Sequence, residues 1–174
     1  MPGDDATDLS KTLAQRLRFD DDGATPNSRL PVLLYRLTFD PAADKAALFE
    51  AMFAEHRWTP LWRDGIFDYH HFHPNAHEAL GIARGQARVT LGGEAGQTLT
   101  VKAGDVLVLP AGTGHRCVEH SRDFLVVGAY PHGQEHYAIQ RPDSRLHSQA
   151  LARIAEVAVP EHDPVTGLQL PGWH

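Results

Sequence analysis

GIFDYHHFHPNAHEALGIARG, residues 65–85, is the stretch that decides how this chain is read. His71 and His73 stand two apart, so on an extended strand both imidazoles project from one face. Pro74 and Asn75 supply a turn, and Glu78 opens a following strand that returns beside the first. Two imidazoles and a carboxylate then converge on one point. A second stretch, GDVLVLPAGTGH (104–115), reads as a buried strand followed by a Pro-Ala-Gly turn that delivers His115. Three neutral imidazoles and one carboxylate suit a single divalent transition metal: Fe, Mn, Ni, Co or Zn. Four protein ligands leave one or two positions open on a five- or six-coordinate ion.

Blander explanations compete at each of these residues. A lone pair of histidines is ordinarily a hydrogen-bonded core feature, and Glu78 alone is a carboxylate at a strand start. The spacing of all four residues favours ligation. His70 should point to the opposite face from its neighbours, as a surface or interface residue. His77 adjoins Glu78, and a His73/His77 pairing on the turn is also a plausible site. The run His77-Glu78-Ala79-Leu80-Gly81 begins like a zinc-protease helix, but Gly81 stands where a second His is required. Tyr69 shares parity with His71 and His73, so it and His77 are the candidates for acid–base work at the pocket. Cys117 shares parity with His115 and is expected to behave as a small hydrophobe. Tyr130 and His132 end a late strand near the expected barrel mouth, and the histidines at 136, 147, 162 and 174 are expected at the surface.

Outward from this centre the chain is punctuated by Gly and Pro. Strands are expected at about 66–73, 78–83, 86–91, 97–102, 105–109, 115–119 and 124–130, with Gly92-Gly93 as a hairpin turn. Closely spaced strands of this kind indicate a sandwich or closed barrel. Upstream, PVLLYRLTF (31–39) reads as a strand, and Asp40-Pro41 opens a helix to about residue 56 with Ala47, Leu48, Ala51 and Met52 on one side. Trp58, Trp62 and Phe67 read as core filler. Leu9, Leu13 and Leu17, behind Asp8, suggest a short amphipathic helix. Asp20, Asp21 and Asp22 before Gly23 lack the ligand alternation of a calcium loop and read as a solvated turn. Residues 146–157 suggest a last helix. The division expected is a polar N-terminal extension, 1–30, and a single domain, 31–174.

Bulk properties narrow the function classes. At 174 residues the chain fits one domain with a substantial core. Its 16 Lys and Arg are scattered and the formal net charge is -6, which argues against nucleic acid. One cysteine excludes an internal disulfide. The opening MPGDDATDLS is acidic where a signal peptide is basic and then apolar, and no apolar run is long enough to span a bilayer. A cytoplasmic protein with no nucleic-acid or membrane partner is expected.

The two stretches resemble the paired motifs of the cupin superfamily. The first has Gly65, five residues, His71-x-His73, four residues, Glu78, six residues and Gly85. The second has Gly104, five residues, Pro110-x-Gly112, two residues and His115. It departs from that pattern at Glu119, where the family motif carries Asn, a position outside the ligand set. The resemblance implies an all-β fold, a cupin double-stranded β-helix (a jelly-roll barrel, RmlC-like) with a few short flanking helices. HHFHPNAHE, FLVVGAYP (124–131) and VPEHDPVTG (159–167) further resemble small bacterial single-domain cupins, a likeness that bears on fold and assigns no activity.

The expected function is a metal-dependent enzyme, an oxygenase or isomerase, acting on a small organic molecule through His71, His73, Glu78 and His115. The alternative is a non-catalytic module that holds a small ligand or a sugar. The resemblance also implies a homodimer, with residues 9–17 and the strand 32–39 as candidate contacts.

Overall fold

The computed structural model describes residues 9–174. The first eight residues, which include most of the acidic opening and Asp8, lie outside the described residues. Among the described residues, nine strands form two antiparallel sheets: β1 (Gln15–Leu17), β2 (Val32–Arg36), β3 (Trp58–Asp64), β4 (Glu78–Arg84), β5 (Gln86–Leu91), β6 (Gln97–Lys102), β7 (Asp105–Leu109), β8 (His115–His120) and β9 (Leu125–Pro131). The order is β1-β2-β7-β4-β9-β3 in the larger sheet and β6-β5-β8 in the smaller. Two helices flank them, α1 (Lys45–Glu55) and α2 (His147–Ala155). No helix among the described residues is long and apolar enough to cross a membrane. The all-β expectation holds.

Continuous apolar runs in β2, β4, β7 and β9 follow from burial on both faces. Leu33, Tyr35, Ala79, Val106, Val108, Val127 and Ala129 face an outer core shared with α1 and the C-terminal tail. The alternate residues Val32, Leu34, Leu80, Ile82, Leu107, Leu109 and Val126 face an inner core against the smaller sheet. Strand β5, covered on one side, instead alternates Ala87, Val89 and Leu91 inward with exposed or half-buried residues between. Glu78 shares the parity of Leu80 and Ile82, so its carboxylate enters the inner space. Tyr130 shares the parity of Val126 and enters beside it.

The N-terminal segment and the helix register differ from expectation. Residues 9–17 form a single 3-10 turn at Leu9–Lys11 and then β1, not an amphipathic helix. Gln15, Arg16 and Leu17 pair with Leu34, Leu33 and Val32, so a ladder with β2 replaces the helix hydrogen bonds, and Leu13 is 90% exposed. Part of the polar segment before residue 30 is thus woven into the larger sheet. Asn27 ties in as well, donating to Gly92 O and accepting from Gly114 N. The Asp-rich turn forms through Asp21 and Asp22 side chains that accept backbone N–H groups.

Helix α1 begins at Lys45, capped by Asp44, and not at Pro41; Asp40 instead accepts from Ala42 N in the preceding turn. Its buried face is Ala46, Phe49 and Phe53, one register away from the face expected. Phe49 and Phe53 are fully buried, each contributing roughly 2–3 kcal/mol of transfer free energy. Gly81 makes the contact possible, since a Cβ there would lie 2.7 Å from Phe49 Cγ.

The strand expected at 66–73 is largely absent. Its place in the sheet is taken by β3, an edge strand that tolerates Pro60 and bulges between Pro60 and Trp62. The 65–73 segment instead meets the smaller sheet at β8 through an isolated bridge between His71 and His115, while Phe72 bridges Gln140 on its other side.

Candidate metal centre

Local backbone bonding aims the two histidines of the 65–85 stretch. His71 exchanges backbone hydrogen bonds with His115 on β8, whereas Phe72 exchanges them with Gln140 on the other side. Side chains therefore alternate as on a strand: Phe72 turns into protein, and His71 and His73 turn into the inner space. His73 O accepts from Gly112 N, which fixes the end of the segment against the turn before β8. His115 opens β8 and Glu78 opens β4.

The four expected residues meet. The ligand atoms of His71, His73 and His115 lie within 4.8 Å of one another, and all three residues are buried. His73 Nε2 is 3.0 Å from Glu78 Oε2, and His115 Nε2 is 3.1 Å from Glu78 Oε1. Each imidazole is oriented by its other nitrogen. His71 Nδ1 donates to Tyr69 O (3.0 Å), His73 Nδ1 to Ala138 O (2.8 Å) and His115 Nδ1 to Thr113 O (3.0 Å). A carbonyl only accepts, so the proton of each neutral ring sits on Nδ1 and the Nε2 lone pair faces the centre.

Such an arrangement suits a cation. His73 Nε2 and Glu78 Oε1 are buried and have no hydrogen-bond partner of acceptable geometry. Burial, helped by His115, holds His71 down at a pKa of about 3, so that ring is neutral. At His73 burial also pulls downward, but the adjacent Glu78 carboxylate outweighs it and the pKa is raised. At Glu78 burial pushes upward, and His73 with His115 outweighs it, holding the carboxyl well below its ordinary value. A metal ion would replace the proton that Glu78 draws to His73. The three imidazoles and the facing carboxylate fit a divalent transition metal in donor chemistry and in tautomer.

Tyr130 holds the carboxylate. Its OH donates to Glu78 Oε2 at 2.5 Å and accepts from Trp62 Nε1 at 3.0 Å. Burial, and then the Glu78 charge, push the phenol above its ordinary range, so it stays protonated as a fixed donor. Trp62 reaches it by lying across Gly128 of the paired strand, where a Cβ would come within 2.1 Å of the indole. Tyr137 stacks on Tyr130 with centroids 4.1 Å apart and meets the His73 ring edge-on at 5.1 Å. Above the cluster opens a cavity of about 520 Å³ bounded in part by Trp62, Leu80, Phe124, Tyr137 and Ile139.

Neither acid–base candidate lines this cavity. Tyr69 is half-buried, with its ring stacked on Phe67 and capped by Arg141 at 3.8 Å. His77 is buried on the other side of β4, accepting from Ala111 N and packing on Trp173. Burial pulls His77 down to about 4, so it too is neutral. His70 is half-buried. Glu119, the departure from the family motif, is exposed and faces Arg88. Cys117 is buried in the inner core, where burial raises its thiol pKa. Tyr130 proves to be deep in the pocket, not at its mouth, whereas His132 is exposed. Phe67 is 45% exposed, so it is not core filler. Tyr137 had no sequence signal, because it lies in an irregular segment without periodicity.

Residues 63–127 match the family model described as Cupin domain. Among curated proteins the chain is similar to "Uncharacterized protein YjlB" of Bacillus subtilis (strain 168), 37% identical over 154 residues, covering 88% of this chain and 90% of that one. Among solved structures it is similar to procruciferin, an 11S globulin from Brassica napus, with 16% identity and a TM-score of 0.41 over 70% of this chain and 30% of that one. It is likewise similar to oxalate decarboxylase from Bacillus subtilis, with 22% identity and a TM-score of 0.37 over 68% of this chain and 29% of that one. A Klebsiella pneumoniae protein with a double-stranded beta-helix domain matches at 13% identity and a TM-score of 0.36, over 76% and 84% of the two chains. This chain thus spans about a third of the length of the first two of these structures.

Proposed function

This chain belongs to the cupin family, and we propose that it acts as a metal-dependent enzyme, an oxygenase or isomerase, on a small organic molecule. His71, His73, Glu78 and His115 would hold one divalent ion of Fe, Mn, Ni, Co or Zn. The observation that carries this is the shared orientation of the three imidazoles: every Nδ1 is engaged with a backbone carbonyl, so every Nε2 is left to the centre. A bound ion of this kind supplies open coordination positions for Lewis-acid or redox chemistry. The protein's own part is to place and protect. Tyr130 and Trp62 hold the Glu78 carboxylate in one orientation, which preserves its geometry through binding. The apolar side chains of Ile66, Leu80 and Phe124 would limit the water around whatever sits above the cluster.

A second reading, a module that holds its ligand without turnover, is supported by one observation. Tyr130 and Trp62 are already engaged, with each other and with Glu78, and of the other proton-bearing side chains along the cavity outside the cluster Asp64 and His120 are exposed, which leaves only Tyr137 half-buried and available. Oxygen-electrode and product measurements on iron-loaded protein with panels of small organic molecules separate the readings. Turnover that disappears in His71→Ala supports an enzyme, as oxygenase if oxygen is consumed and as isomerase if it is not. Recovery of an intact ligand with no product after long incubation contradicts the enzyme and favours the module.

A further inference from the structure

The cavity of about 520 Å³ above the imidazoles has the size of a small-molecule site. Its composition is one-sided. Trp62, Ile66, Leu80, Phe124, Tyr137 and Ile139 form much of the wall, and none of the described residues that line it is Arg, Lys, Ser, Thr, Asn or Gln. Tyr130 has its OH occupied by Glu78 and Trp62. Asp64 and His120 are exposed residues; the Asp64 carboxylate already accepts from Gly65 N, and His120 Nδ1 already donates to Ser121 O. The nearby cation Arg141 lies over the Tyr69 ring, and neither residue lines the cavity.

These walls discriminate among ligand classes. A sugar presents a hydroxyl on nearly every carbon, whereas outside the cluster this wall offers only the Tyr137 OH and, at exposed residues, one Asp64 oxygen and His120 Nε2, too few to satisfy them all. A dianion can give one carboxylate to a metal, but its second would find no Arg or Lys among the described lining residues, and the Asp64 carboxylate would repel it. A molecule with one chelating oxygen group and an apolar body meets both halves of the site. The Trp62 indole and the Tyr137 ring stacked on Tyr130 offer flat aromatic surfaces to such a body.

We propose that the ligand is a compact, ring-bearing apolar molecule that carries one metal-chelating oxygen group and no second charge, and that polyanions and sugars are excluded. This rests on the metal-site reading above. Its test uses zinc-loaded protein, which is redox-silent, so binding is read without turnover. Zinc content is measured first, by elemental analysis. The loaded protein is then titrated with 4-nitrocatechol, whose absorbance changes when its oxygens coordinate a metal, and with oxalate and mannose as competitors. The expected result is saturable 4-nitrocatechol binding at least about tenfold tighter than oxalate, with mannose without effect. Ile139→Asp, at a position 47% exposed and so tolerant of change, weakens 4-nitrocatechol about tenfold while zinc content stays at the wild-type value. Zinc bound with oxalate or mannose preferred, or Ile139→Asp without effect, overturns the proposal alone. Wild-type protein that takes up no zinc overturns the metal reading and this proposal together.

Discussion

Glu78 and Asp163 are both buried carboxylates, at 2% and 0% exposure, and their surroundings have opposite character. Asp163 is surrounded by hydrogen. Its Oδ1 accepts from Val165 N and Thr166 N, and its Oδ2 accepts from the Tyr35 OH. Those bonds fold the tail stretch 159–167 into a turn and fasten it to β2, with Trp58 Nε1 adding a bond to His162 O. Glu78 receives one hydroxyl donor, Tyr130, and otherwise faces imidazole Nε2 atoms whose Nδ1–H groups are turned away, with His73 alone pushed towards taking up a proton in the cation's place. A buried carboxylate closed by donors fastens a fold. One faced by lone pairs is incomplete until a cation arrives.

The comparison breaks most severely at Glu78. Glu78→Gln removes the one anion of the cluster, and metal affinity measured by competition with a chromophoric chelator is expected to fall at least about 100-fold. Tyr130→Phe, which removes only the hydrogen bond that orients the carboxylate, is expected to cost about tenfold in the same assay. Equal affinity in both variants and wild type would mean that Glu78 does not serve the cluster.

Asp163→Asn should do the reverse. It leaves the metal unaffected and lowers stability by about 2 kcal/mol in urea unfolding, since the Tyr35 OH loses its charged acceptor. The pH dependence sharpens this. Burial raises the Asp163 carboxyl above its ordinary 3.8, outweighing the Tyr35 and backbone hydrogen bonds. On acidification the native protein therefore takes up that proton before the unfolded chain does. The associated stability is fully present below the unfolded value and is lost as pH rises through the raised one. The advantage of wild type over Asp163→Asn should widen as pH falls towards about 4 in metal-free protein. Glu78 has the opposite sign: its lowered carboxyl contributes stability above the ordinary 4.5, lost as pH falls through the lowered value. An advantage over Asp163→Asn that shrinks on acidification would contradict the assignment.

Much of the centre is legible in the sequence itself. The ligand spacing carried the centre, because strand parity and the Pro-Ala-Gly turn are local rules that survive tertiary packing. Doubly buried strands such as β7 and β9 announced themselves as apolar runs. The failures have physical causes too. Leu9, Leu13 and Leu17 have helical spacing, but the free edge of β2 offers that segment a ladder instead. The stretch with Trp58 and Trp62 carried no strand expectation, yet it forms β3 at a sheet edge, where the missing N–H of Pro60 costs little. His77 could have been excluded by the parity argument used for His70, since adjacent residues on a strand face opposite sides. Tyr130 could have been placed inside by counting from Val126. Tyr137 could not, because no periodic rule governs the loop that brings it onto Tyr130.

The most direct test is elemental analysis of purified wild type, His73→Ala and Asp163→Asn, each reconstituted with a divalent transition metal and desalted. The prediction is about one metal ion per chain in wild type and in Asp163→Asn, and less than about a tenth of that in His73→Ala. No metal in the wild type, or metal retained undiminished in His73→Ala, would contradict the assignment of the four converging side chains as a metal centre.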